Sequence, residues 1–70
     1  MPYVNVKLYP GRSDEQKREA ARRIAEALVE VCKVADASQV AVVFDEVSPA
    51  DYARDVEPEI AAAAERQYHP

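Results

Sequence analysis

Hydrophobic and polar positions alternate at the start of the chain. Val4, Val6 and Leu8 fall on one side of a two-residue period, and Tyr3, Asn5, Lys7 and Tyr9 on the other. Alternation rich in β-branched residues predicts a half-buried strand over residues 3–9. Pro10-Gly11 ends it, and the period then changes. Ala20, Ala21, Ile24, Ala27, Leu28 and Val31 recur at helical spacing, while Arg18, Arg22, Glu26 and Lys33 take the opposite side. This predicts an amphipathic helix over 14–33. Its start is marked by Ser13 as N-cap with Gln16 three residues on, and by Asp14 and Glu15 where the helix dipole favours acids.

Asp36-Ala37-Ser38 reads as a turn. Residues 39–47 read as a second strand, with Val40, Val42 and Phe44 on one face and Ala41, Val43 and Asp45 on the other. Strand, helix and strand make a β-α-β unit, so the strands should lie parallel with a right-handed crossover. Ser48-Pro49 is a second helix start, serine as cap and proline at the first helical position. Pro58 cannot donate an N–H and clashes inside a helix, which predicts a short helix over 49–55, a break, and another over 57–67. The expected fold class is therefore α/β (α+β): a single β-α-β unit plus C-terminal helices in one domain, residues 1–70. Such a unit leaves sheet edges open and one sheet face without helical cover. Pairing with further copies of the chain would complete the sheet.

Composition sharpens this picture. A 70-residue chain buries only ~60% of its unfolded surface, so a monomer would be marginal. Cys32 and His69 are the only residues of their types, which excludes an internal disulfide and a metal cluster built on them. We read Cys32 as a small core residue. Small domains without such staples usually oligomerise. The formal charge of −4 and pI of about 4.8 argue against a nucleic-acid partner. No secretory h-region or membrane-length apolar stretch is present, so a cytoplasmic protein with no membrane partner is expected.

Two residues stand out chemically. Once Met1 is trimmed, Pro2 begins the chain with a secondary amine. Held in a dry pocket near cations, that amine would titrate toward neutrality and could serve as general base or acid. Arg12 follows the first strand, at the carboxyl end where α/β ligand sites form, and can pair bidentately with a carboxylate. Lys7 either lines a pocket from within the strand or is exposed at an edge, and we take the edge reading because edge lysines are common.

The run Gly11-Arg12-Ser13-Asp14-Glu15-Gln16-Lys17 behind a strand opened by proline resembles the tautomerase superfamily, whose type member is 4-oxalocrotonate tautomerase. The likeness extends more loosely to about Glu46. It implies a β-α-β unit paired into larger sheets and a cofactor-independent isomerase. It also implies Pro2 as the catalytic base or acid and Arg12 as the group holding the substrate's carboxylate. The type member has a second arginine early in its second strand, which polarises the carbonyl; Ala41 stands there instead. The terminal glycine-rich hairpin is replaced by Ser48-Pro49-Ala50-Asp51-Tyr52 and a helix. That tail is closer to a small dimeric branch whose members tautomerise arylpyruvates. Tyr52 then falls near the aromatic wall of the proline pocket; the other reading is a helix-packing tyrosine. Arg54 is either a replacement cation or an exposed arginine paired with Asp51 or Asp55.

The expected function is keto–enol tautomerisation of a 2-oxo acid, without cofactor or metal. A homodimer is expected over a hexamer. Two alternatives stand beside this function. One is hydration or dehalogenation of an unsaturated acid, with Glu46 or Asp45 activating water. The other is an oligomeric module with little or no catalysis, to which a retained Met1 would point, because Pro2 nitrogen would then be an amide.

Overall fold

A computed structural model describes residues 1–69. Strand β1 (Tyr3–Leu8) is followed by helix α1 (Asp14–Cys32), a 3-10 turn (Ala37–Gln39) and strand β2 (Ala41–Glu46). The strands are parallel, as the β-α-β pattern requires, in the register Val4↔Val42, Val6↔Phe44 and Lys7↔Asp45. Both are shorter than the alternation suggested, because Tyr9 and Val40 already belong to the connecting turns.

Helix α1 begins as its sequence dictates. Ser13 Oγ accepts the Gln16 N–H at 3.1 Å and Gln16 Oε1 accepts the Ser13 N–H at 2.9 Å. The helix stops one residue before the expected end. Lys33 turns left-handed (φ 61°) and its N–H donates to the Leu28 carbonyl. Ala20, Ala21, Ile24 and Leu28 of the predicted stripe are partly buried, but Ala27 and Val31 depart from it. Ala21 and Ala25 line clefts against Val40, Val42 and Phe44, while Ala27, Val31 and Cys32 are exposed. Apolar residues cover a wide arc of α1, and small alanines do not by themselves fix which part of the arc meets the sheet. Cys32 is therefore a surface residue, not a core one.

Helix α2 (Pro49–Asp51) starts on Ser48, whose Oγ accepts the Asp51 N–H at 3.2 Å. No break follows. The chain widens into a π turn (Tyr52–Val56), closed by the Glu57 N–H donating to the Tyr52 carbonyl five residues back, and continues as helix α3 (Glu57–Ala62). The wide turn lets the α pattern restart with Pro58 near a first-turn position, where a missing N–H costs nothing. The α pattern ends at Ala62, and a 3-10 turn (Ala64–Arg66) carries the path to one residue short of the expected 67. Gln67 lies outside it, and its amide donates to the Ile60 carbonyl that a longer helix would have used.

This C-terminal helical path covers the second sheet face at β1, bringing Tyr52, Val56 and Ile60 over Asn5 and Lys7. The expected bare face is thus half covered. The core of one chain remains very small. Among the described residues only Ala25 and Val56 are buried, while Tyr3 and Val31 are largely exposed. The sheet has two strands, so each has an unpaired edge. An incomplete sheet with so little core is a unit built for association.

Candidate functional site

The loop after β1 is the most tightly specified part of the surface. Gly11 sits at φ 128°, a left-handed geometry that side-chain-bearing residues rarely adopt. Its N–H donates to Glu46 Oε2 at 3.2 Å, and Lys17 Nζ donates to Glu46 Oε1 at 2.7 Å. Glu46, at the end of β2, thereby ties the loop to both β2 and α1. The Lys17 hydrogen bond, and then the Gly11 N–H, hold its carboxyl below the usual carboxylate range. Both oxygens are occupied, so Glu46 is badly placed to activate a water. Asp45 is engaged as well, accepting from Asn5 Nδ2 at 3.0 Å.

Arg12 follows in this loop. Its Nη1 donates to the Tyr9 carbonyl at 2.9 Å, which folds the guanidinium back toward the strand end. Tyr9 meets Tyr52 edge to face, with centroids 5.3 Å apart and planes at 79°. Arg12, Tyr9 and Tyr52, with Lys7 and Leu8, line one pocket of about 350 Å³. Lys7 and Tyr52 also line a neighbouring groove of about 460 Å³ between β1 and the C-terminal helix. Lys7 is not a bare edge residue: its side chain is 31% exposed, with Nζ 2.9 Å from Glu59 Oε2. The hydrogen bond and charge of Glu59 push its pKa above the ordinary lysine value, so the ammonium stays charged.

Two of the residues singled out from the sequence do not join this group. Arg54 is exposed and its guanidinium is engaged by acids, with Nη2 2.7 Å from Asp55 Oδ2 and 3.0 Å from Asp51 Oδ1. It is a surface ion pair and not a pocket cation. Pro2 lies at the other end of β1. Its carbonyl accepts the Ala41 N–H at 3.0 Å, and a six-residue strand at ~3.3 Å per residue separates its ends by roughly 20 Å. Within one chain, Pro2 and Arg12 therefore cannot touch the same small molecule. Ala41 stands beside Pro2 and brings no charge there. Met1 precedes Pro2 and is 93% exposed, within easy reach of a processing enzyme.

Tyr9 is the pocket residue not singled out from the sequence, and Lys7 is the one taken as an edge residue. The signal was present, since the alternation of β1 sets both on the face that carries Asn5. Chemically the pocket offers two cations and two aromatic walls, a setting for a carboxylate with an unsaturated or aromatic body. Among the described residues, no cluster of His, Cys, Asp and Glu is placed to hold a metal ion. No helix among them is long and apolar enough to cross a membrane.

Comparison with known proteins gives the family. A family model described as "Tautomerase enzyme" matches residues 2–59. A probable tautomerase of Halalkalibacterium halodurans is 42% identical over 52 residues, covering 74% of this chain and 84% of the relative. The 2-hydroxymuconate tautomerase of Bacillus subtilis is 38% identical over 53 residues, covering 76% and 84%. A probable tautomerase of Staphylococcus aureus is 42% identical over 52 residues, covering 74% and 84%. No solved structure matches the chain.

Proposed function

The chain belongs to the tautomerase family of isomerases, and on that premise we propose that it interconverts the keto and enol forms of a 2-oxo acid with an aromatic or apolar tail. The trimmed amine of Pro2 acts as base and then as acid. The observation that supports this reading is the convergence of Arg12 with the Tyr9–Tyr52 pair on one pocket. The guanidinium holds the carboxylate by charge-assisted hydrogen bonds. The aromatic pair shelters the tail and lowers the local dielectric. Because roughly 20 Å of strand separates Pro2 from Arg12, the site is assembled from two copies, one giving the amine and the other the pocket. A homodimer meets that need with the fewest parts.

A neutral Pro2 amine removes the proton on C3 of the ketone. The C–H electron pair becomes the C2–C3 π bond, and the carbonyl pair moves onto oxygen. The proton on Pro2 then passes to that oxygen, giving the enol and restoring the amine. Burial beneath a partner copy and the nearby cations both favour the neutral amine.

One observation favours a second substrate: the Bacillus subtilis relative is named for 2-hydroxymuconate. The test compares phenylpyruvate and 2-hydroxymuconate with protein whose N-terminus is checked by intact mass. The Pro2-initiated form is expected to be active and to prefer phenylpyruvate. Forms with Met1 retained or the amine acetylated are expected to be nearly dead. Full activity with Met1 in place would overturn the proline mechanism. Light scattering should find a dimer at micromolar concentration; a stable monomer would rule out a shared site.

A further inference from the structure

We infer that Lys7 is the electrophilic group of the site, its ammonium donating a hydrogen bond to the 2-oxo oxygen as that oxygen becomes an enolate. The inference rests on the proposed 2-oxo acid reading and deepens it. Moving a proton off C3 leaves a full negative charge on the carbonyl oxygen, and a fixed donor aimed at developing charge is commonly the largest single contribution to such a step. At the amino end of β1, Ala41 beside Pro2 carries only a methyl group and brings no cation for this task.

The pocket end does. Lys7 and Arg12 line the same pocket of about 350 Å³. They reach it from different directions, Lys7 from within β1 and Arg12 from the loop behind it. A 2-oxo acid presents adjacent oxygens of two kinds, a carboxylate already charged in the ground state and a carbonyl charged only during reaction. The planar guanidinium suits the first and the compact ammonium the second. Lys7 is also held in position, since one of its N–H bonds goes to Glu59 at 2.9 Å while an ammonium has further donors to offer. Arg54 is excluded from the role by its pairing with Asp51 and Asp55. The Tyr52 hydroxyl is a neutral donor and the weaker of the two. Lys7 keeps its proton throughout; the proton that moves is carried by Pro2.

The same lysine also ties β1 to the C-terminal helix through Glu59, so the experiment separates chemistry from tethering. Lys7→Met, Lys7→Arg and Glu59→Gln are prepared in the Pro2-initiated protein and assayed with phenylpyruvate. Dissociation constants are measured for phenylpyruvate and for 3-phenylpropionate, which has the carboxylate but no 2-oxo group. Lys7→Met should lower kcat on the order of 10²–10³-fold, as removal of an oxyanion donor does, with the affinity for 3-phenylpropionate little changed. Lys7→Arg should recover a large part of the loss. Glu59→Gln should stay within about threefold of wild-type kcat, because it removes the charge from the tether and leaves the ammonium.

If Glu59→Gln falls as far as Lys7→Met, the lysine is only a tether and the inference is overturned. Wild-type kcat in Lys7→Met overturns it too. If the unmodified protein does not turn over phenylpyruvate, the functional reading fails by itself, and binding then decides the role of Lys7. Tighter binding of phenylpyruvate than of 3-phenylpropionate, lost in Lys7→Met, supports the role; equal ratios in both proteins refute it.

Discussion

Replacing Arg12 by alanine tests the pocket most directly. Its Nη1 is taken by the Tyr9 carbonyl at 2.9 Å, which leaves the Nε–Nη2 edge for a two-pronged hold on a carboxylate. A hydrogen bond to a charged group contributes about 1.5–3 kcal/mol. Arg12 is exposed, so water competes for it and the lower half of that range applies. At 1.4 kcal/mol per tenfold, a loss of about 1.5–2 kcal/mol is a 10- to 30-fold rise in Kd. The rise should appear equally in the KM for phenylpyruvate and in the calorimetric Kd of 3-phenylpropionate, because the carboxylate is charged in ground and transition states alike. The fold should survive: the Tyr9 carbonyl loses its partner at the surface, where water replaces it. Unchanged Kd for 3-phenylpropionate in a folded Arg12→Ala protein would refute the reasoning, leaving Arg12 as a loop brace that serves only the Tyr9 carbonyl.

Other measurements address the frame. Val56 is 6% exposed, so Val56→Ala should cost about 2 kcal/mol through lost methyl groups and the space they leave, read as a lower urea midpoint at fixed protein concentration. The Glu19 carboxyl is lowered to about 2 by hydrogen bonds from Arg22 and then Arg23. Its folded pKa lies below its ordinary value of 4.5, so its stabilising effect is whole above that pH and is lost as pH falls toward 2. Glu19→Gln should therefore flatten the fall in stability across that window. The difference should shrink in high salt, since the cluster is exposed; identical acid profiles would show that the cluster contributes nothing.

Much of this architecture could be read from the chain. The strand–helix–strand order, the parallel pairing and the Ser13–Gln16 capping box each follow from local patterns with one physical solution. The misses share a different origin. Which arc of α1 meets the sheet depends on packing, and a helix rich in alanine offers several nearly equal arcs. Pro58 does forbid an ordinary helical hydrogen bond, but a π turn satisfies that constraint without the break that was expected. Lys7 looked like an edge residue because nothing in β1 tells of Glu59 fifty-two positions later. Arg54, by contrast, follows one of its two readings from the sequence, paired with Asp51 and Asp55 by a local pull that outweighs any distant pocket. The 20 Å gap between Pro2 and Arg12 was implicit in strand geometry, yet a linear motif conceals it because the two residues sit only ten positions apart.

That gap gives the protein an arithmetic of mixing. If each site takes its amine from one copy and its pocket from the other, a variant with a weakened pocket and a variant with a dead amine can revive each other. Suppose an Arg12→Ala chain is allowed to exchange partners with a chain whose Pro2 amine is blocked. In every mixed dimer both defects fall into one site, and the other site is wholly intact. With free exchange at equal amounts half the dimers are mixed, so at substrate well below KM, where the Arg12→Ala stock is about 10- to 30-fold down, about a quarter of wild-type activity should return. Dilution carries the same signature: turnover per chain should fall away as dimers dissociate, with the folded monomer holding each half of a catalyst and the whole of none.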